Sequence, residues 1–256
     1  MLYAGTMAFM YFKGDVATST RAKDLNLRAI AAPCQYDRDM MSKYGLIDQL
    51  DRQLFRVYDN GFSDDELLKI FRNDQNVYKE LVVEFIASFK FECGLVGRNF
   101  NTRKCIRFRL CGNWYDMSLL EFGIHLGLQD PSINNELYQD HLDKAYIEEA
   151  PTYTLRSCWQ QIGMVEYDPK HAREAHLKDP LIRLIHRYLA WTTLFHSQPE
   201  RLNEDHLKGL YFCVNREYRW NIPYAMASMF KATQTTNGRE LPGGNSSLLL
   251  PLNWGF

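Results

Sequence analysis

Residues Asp179–Cys213, "DPLIRLIHRYLAWTTLFHSQPERLNEDHLKGLYFC", decide the fold class. Asp179 carries the short carboxylate that a helix N-cap needs. Pro180 suits the first helical position, where its missing N–H would be unsatisfied anyway. Leu181, Leu184, Ile185, Tyr188, Leu189 and Phe195 recur at helical spacing as one apolar stripe, with Arg183, His186 and Arg187 largely off it. After "SQPE", Asn203 is placed to cap a second helix, and Leu202 and Leu207 stand at the two positions of a hydrophobic staple. Two amphipathic helices on a short polar link predict packing. A DNA-reading helix-turn-helix fits poorly, because Glu204 and Asp205 put carboxylates at the helix end that would meet phosphates.

Working outward, the same helical grammar recurs. Apolar positions from Met40 to Leu54 follow a helical period that Gly45 interrupts. "SDDE" sets Ser63 and Glu66 as a capping box, and a further helix from about Asn76 carries Tyr78, Leu81, Val82, Phe85, Ile86 and Phe89. The period then changes to two. Ile106, Phe108 and Leu110 alternate with Arg107, Arg109 and Cys111, and Gly112-Asn113 signals a turn into a return strand, Trp114 to Met117. "SLLE" is a second capping box, Ser118 with Glu121, ahead of a helix that Gly127 stops. Further helices are expected around Asn135 to Ile147, Thr154 to Met164 and Pro223 to Phe230. The expected fold is mainly α: an irregular multi-helix domain with one short β-hairpin around residues 104–117. The expected organisation is a flexible lead-in over 1–32, a helical domain over 33–236 and a tail over 237–256.

The formal net charge of −1 argues against a generic polyanion binder, so any nucleic-acid contact must come from a local patch. The opening "MLYAGTMAFMYF" is too short to span a bilayer and lacks the basic region of a signal peptide, which predicts no membrane and an intracellular protein of cytoplasm or nucleus. Six scattered cysteines without a CxxC pair predict reduced thiols.

Chemistry-bearing motifs are few. His171 and His176 are five apart, off the spacing that puts two imidazoles on one helix face, and His141, His186, His196 and His206 have no ligand spacing. No GxSxG, GxxxxGK[ST] or GxGxxG motif occurs. The expectation is therefore a non-enzyme with no cofactor, no metal and no small-molecule substrate. The strongest local charge is Arg98, Arg103, Lys104, Arg107 and Arg109, with no acid between Glu92 and Asp116. On a strand, Arg107 and Arg109 would share the face opposite Ile106 and Phe108, a surface for the phosphates of RNA or DNA. The competing reading is a solvated strand face that deters edge-to-edge association.

The order of elements carries a resemblance. "YKELVVEFIASF", "IRFRLCGNWYDMSLLEFGIHLGL", the tryptophan helix, the paired helices around Asp179–Cys213 and "NIPYAMASMF" follow one another over roughly 33–244. This series resembles the first-open-reading-frame protein of Athila-type plant LTR retrotransposons of the gypsy class, also described as a plant transposon protein domain. The resemblance implies a gag-region product that self-associates, with capsid-like or nucleic-acid-packaging work. A CCHC zinc knuckle is absent, and "NSSLLLPLNWGF" departs from the apolar continuation the resemblance leads one to expect, as in a truncated copy.

Overall fold

The computed structural model describes residues 15–29, 38–54, 56–57, 63–64, 79–92, 104–128, 155–192, 200–214, 221–235 and 241. The described residues are mostly helical, with a small three-stranded antiparallel sheet. In chain order the elements are α1 (Val16–Asn26), α2 (Arg38–Lys43), α3 (Leu46–Leu54), β1 (Arg56–Val57), β2 (Ser63–Asp64), α4 (Lys79–Ser88) and β3 (Lys90–Phe91). There follow β4 (Ile106–Leu110), β5 (Asn113–Met117), α5 (Leu119–His125), α6 (Leu155–Ile162), α7 (Pro180–Thr192), α8 (Glu204–Val214) and α9 (Ile222–Thr235). The chain divides into two compact units. One comprises Met1–Pro33, Asn73–Ser132 and Pro223–Phe256; the other comprises Cys34–Arg72 and Ile133–Ile222.

The first unit is built on α4. Its apolar positions are continuous rather than striped, so Val82 to Phe89 are all buried. Phe85 of α4 and Phe89, just after it, meet Phe108 of β4, Phe122 of α5 and Phe230 of α9 in one cluster, with ring centroids 4.7 to 6.5 Å apart. Several of these pairs are tilted or edge-on, which suits the aromatic quadrupole and adds about 0.5–1.5 kcal/mol per pair beyond area burial. The last carbonyls of α4 lack the i+4 partners a continuing helix would give, and the Phe89 N–H reaches Ile86 O only at 3.3 Å. Other elements supply them: Arg21 of α1 donates to Ala87 O (3.1 Å), and Gln234 of α9 donates to Ile86 O and Phe89 O (2.6 Å each).

That docking corrects the expected flexible lead-in. Residues 16–26 form a helix because Asp15 caps it, accepting from the Thr18 N–H and hydroxyl, and because Ala22 and Leu25 bury in the first unit. The same two bonds hold the Asp15 carboxyl below the usual carboxylate range. In the segment read as tail, Leu241 is fully buried and donates its N–H to Ala29 O.

The hairpin forms with two differences from expectation. Its closing pair is Leu110 with Asn113, so the turn residues are Cys111 and Gly112, one position earlier than the Gly112-Asn113 signal. Both have positive φ, 49° and 83°, the mirror-image turn whose twist matches that of the flanking strands. A third strand, β3, pairs Lys90 with Arg107 and Phe91 with Ile106. The Ser118–Glu121 capping box forms as read, and Gly127 follows α5 at φ 70°. Ser63 and Asp64 pair with Val57 and Arg56, and the helix read after them, with Glu66 of the capping box, lies outside the described residues.

In the second unit, α6 and α7 pack on α8, and α3 touches both α7 and α8. Asp179 caps α7 through the Leu181 N–H, and Asn203 caps α8 through the His206 N–H (2.9 Å), with Leu202 and Leu207 buried as the staple requires. Gly45, at φ 65°, separates α2 from α3 where the helical period broke. The link between α6 and α7 is an ordered strap. Met164 N–H donates to His176 O and Lys178 N–H to Ile162 O, while Glu174 N–H donates to Glu200 O and Leu202 N–H to Ala172 O. The last helix, α9, extends to Thr235, past the expected end at Phe230, because Thr233 is still buried and Gln234 still has α4 carbonyls to satisfy. Phe195, the segment Asn135 to Ile147, and His141 and His196 lie outside the described residues.

Candidate functional site

The basic strand is only partly a surface. Lys104 and Arg107 are exposed, and the Arg107 guanidinium lies 4.9 Å over the Trp114 ring. Arg109 is not on that surface. It is 5% exposed, and its Nε sits 3.4 Å from Glu84 Oε1. The reason lies at the edge of β4. Beyond Lys90 and Phe91 no strand among the described residues pairs with β4 on that side, and α4 takes over: the Ser88 hydroxyl accepts from the Arg109 N–H at 2.8 Å. One helical turn earlier, Glu84 accepts from the Gly112 N–H at 3.0 Å and faces the Arg109 guanidinium. Alternation alone puts Arg109 beside Arg107; a helix docked on the strand edge covers one and leaves the other open. Arg98 and Arg103 lie outside the described residues. Lys90, which sequence reasoning did not single out, stands opposite Arg107 and is exposed.

A second polar cluster joins α7 to α8. His186 and His206, which have no ligand spacing in the sequence, are fully buried, with His186 Nε2 3.1 Å from His206 Nδ1. His206 Nδ1 also lies 3.0 Å from the Arg201 carbonyl, which can only accept, so the network places a proton on that nitrogen. On the other side of its ring, His186 Nδ1 lies 3.8 Å from Glu174 Oε2. Arg187 binds the same carboxylate. The signal was present in the sequence: Ile182, Ile185, His186 and Leu189 also form a helical stripe, one that shares Ile185 and Leu189 with the stripe read first. His171 and Asp168, by contrast, pair at the exposed surface of a turn, and their contact lowers the Asp168 pKa. Among the described residues no three His, Cys, Asp or Glu side chains group as a metal cage.

The thiols fall into distinct settings. Cys105 is disulfide-bonded, which corrects the expectation of reduced thiols at that position. It is a buried residue whose backbone is pinned on both sides, its N–H donating to Met117 O and its carbonyl accepting from the Glu92 N–H. Cys34 and Cys93 lie outside the described residues. Cys158 is buried and burial pushes its thiol up to about 12, so it has almost no thiolate at neutral pH. Cys111 is exposed at the hairpin turn, its thiol raised by local desolvation and then by the Glu84 charge. Iodoacetamide treatment of the native protein, read by peptide mass spectrometry, should therefore modify Cys111 first and spare Cys158 and Cys213. Equal rates at Cys111 and Cys158 would contradict the packing of α6 on α8.

No helix among the described residues is long and apolar enough to cross a membrane. Comparison with protein-family models, curated proteins and solved structures finds no match for this chain.

Proposed function

We propose that the chain is a non-enzymatic, gag-region-like structural and interaction protein of a plant retrotransposon that self-associates inside the cell, in cytoplasm or nucleus. The observation that carries the reading is where the buried polar groups go. Glu84, Ser88, Arg109, Ser118, His186 and His206 bind backbone groups or one another within their own unit. Buried polar chemistry of that kind specifies a fold; a catalytic cleft would instead aim such groups at an opening. The ordered series of sequence elements supports the retrotransposon assignment. Outward-facing apolar side chains, Met164 with Val165 on the strap and Tyr44 before α3, supply contact area for a second copy. Light scattering across a concentration series should show mass rising above that of one chain; a monomer at every concentration would end the reading.

A second reading has its own observation. The Arg107–Trp114 pair beside Lys90 is a cationic, aromatic surface of the type that contacts nucleic acid. Salt-sensitive binding of RNA or DNA by the full chain supports it, and absence of binding at low salt excludes it.

A further inference from the structure

The outer face of the β3–β4–β5 sheet resolves that second reading into a particular ligand class, and the inference rests on it. Pleating sends Ile106, Phe108 and Leu110 to the core and Arg107 to the opposite face. Across the sheet, Lys90, Arg107 and Asp116 form one row, and all three are exposed. Trp114 lies two residues from Asp116 on the same face, with the Arg107 guanidinium over its ring and 46% of its surface open to solvent. Lys104, just ahead of β4, is also exposed. The cations at this face therefore differ from the basic run read from sequence: Arg109 is withdrawn to Glu84, and Lys90 enters from β3.

Two features of this face need explaining together. A half-exposed tryptophan leaves a large apolar ring in water where Asn113 and Asp116, its neighbours on the same exposed strand, are polar. Lys90 and Arg107 stand against Asp116 on this face, with exposed Lys104 and Glu92 just beyond the strand ends, in a protein whose formal charge is −1 overall. We propose that the face binds single-stranded nucleic acid, with Lys90 and Arg107 on the phosphates and a base stacked on the Trp114–Arg107 pair. A duplex buries its base faces in its own stack and can offer this surface only phosphates, whereas an unpaired base can lie against an indole or a guanidinium plane. Asp116 works against an acidic peptide as well as against phosphate, but a peptide offers the indole a flat π partner only where it carries an aromatic side chain, whereas every nucleotide carries one.

The test is an anisotropy titration of the full chain with a labelled single strand of about 12 nucleotides, the length one small binding face accommodates, and with the same sequence as a duplex. Each is measured at low and physiological salt. Trp114→Leu should weaken single-strand binding about tenfold and leave duplex binding unchanged, while Trp114→Phe, which still stacks, keeps most of the affinity. Leucine retains apolar cover over the sheet, and circular dichroism confirms the fold of both variants. Lys90→Glu with Arg107→Glu should weaken both ligands and flatten the salt dependence. If Trp114→Leu binds the single strand as the parent does while the charge variant does not, the stacking proposal is overturned and the nucleic-acid reading stands. If the parent binds neither ligand at low salt, both fall.

Discussion

Glu84→Ala should lower the stability of the protein by about 3–5 kcal/mol, the range for removing one partner of a buried ion pair. Both side chains are nearly sealed from solvent, 6% exposed for Arg109 and 7% for Glu84, so screening by water does little to soften the loss. The carboxylate also accepts from the Gly112 N–H in the hairpin turn, so its removal strips the turn of an acceptor. Glu84→Gln separates these roles: the amide oxygen can still accept from Gly112, and the loss should be smaller. Replacing both partners, Glu84→Leu with Arg109→Met, should recover most of the stability, since an apolar pair has no charge to bury. Urea unfolding followed by far-ultraviolet circular dichroism measures all of these. A Glu84→Ala protein within about 1 kcal/mol of the parent would mean that α4 does not seal the strand edge.

Trp159→Ala carries the largest expected loss in the second unit, again about 3–5 kcal/mol, the usual cost of emptying a buried aromatic site. The ring is 2% exposed, packs on Tyr167 at 5.7 Å between centroids, and donates its indole N–H to Val165 O. It thereby ties α6 to the strap that leads to α7. Gly163 is part of the same fit: a Cβ there would stand within 2.7 Å of the indole, and its backbone does not have the positive φ that would itself demand glycine. Gly163→Ala alone should therefore cost about 1–3 kcal/mol by overpacking. In the Trp159→Ala background the added methyl meets a space instead of a ring, and most of that cost should vanish. An undiminished cost in the double variant would place the strain in the backbone and refute the close approach.

Much of the local structure was legible from residues within a few positions of one another. The caps at Ser118, Asp179 and Asn203, the staple of Leu202 and Leu207, the stop at Gly127 and the break at Gly45 are interactions between near neighbours in the chain, so residue type and spacing suffice to find them. The strand alternation from Ile106 to Leu110 is equally local. What went unread shares a different property. Val16–Asn26 is weakly patterned, and its helix persists because Ala22 and Leu25 bury in the unit and Arg21 bonds α4. The pairing of Ser63 and Asp64 with Val57 and Arg56 is likewise set by a strand that the local pattern does not announce.

The candidate site divides along the same line. By itself, the sequence determined a mainly helical chain with one basic hairpin, because helical and strand periods are set by local backbone geometry. Only the tertiary structure decided which cations reach solvent. Arg107 and Arg109 are two residues apart on one strand face and indistinguishable by pattern, yet one lies on an exposed indole and the other on a buried glutamate from a helix more than twenty residues earlier. The same holds for His186 and His206, unrelated by spacing and 3.1 Å apart across two helices. Burial of charge and pairing of imidazoles depend on which elements pack together, and packing is a property of distant residues meeting in space.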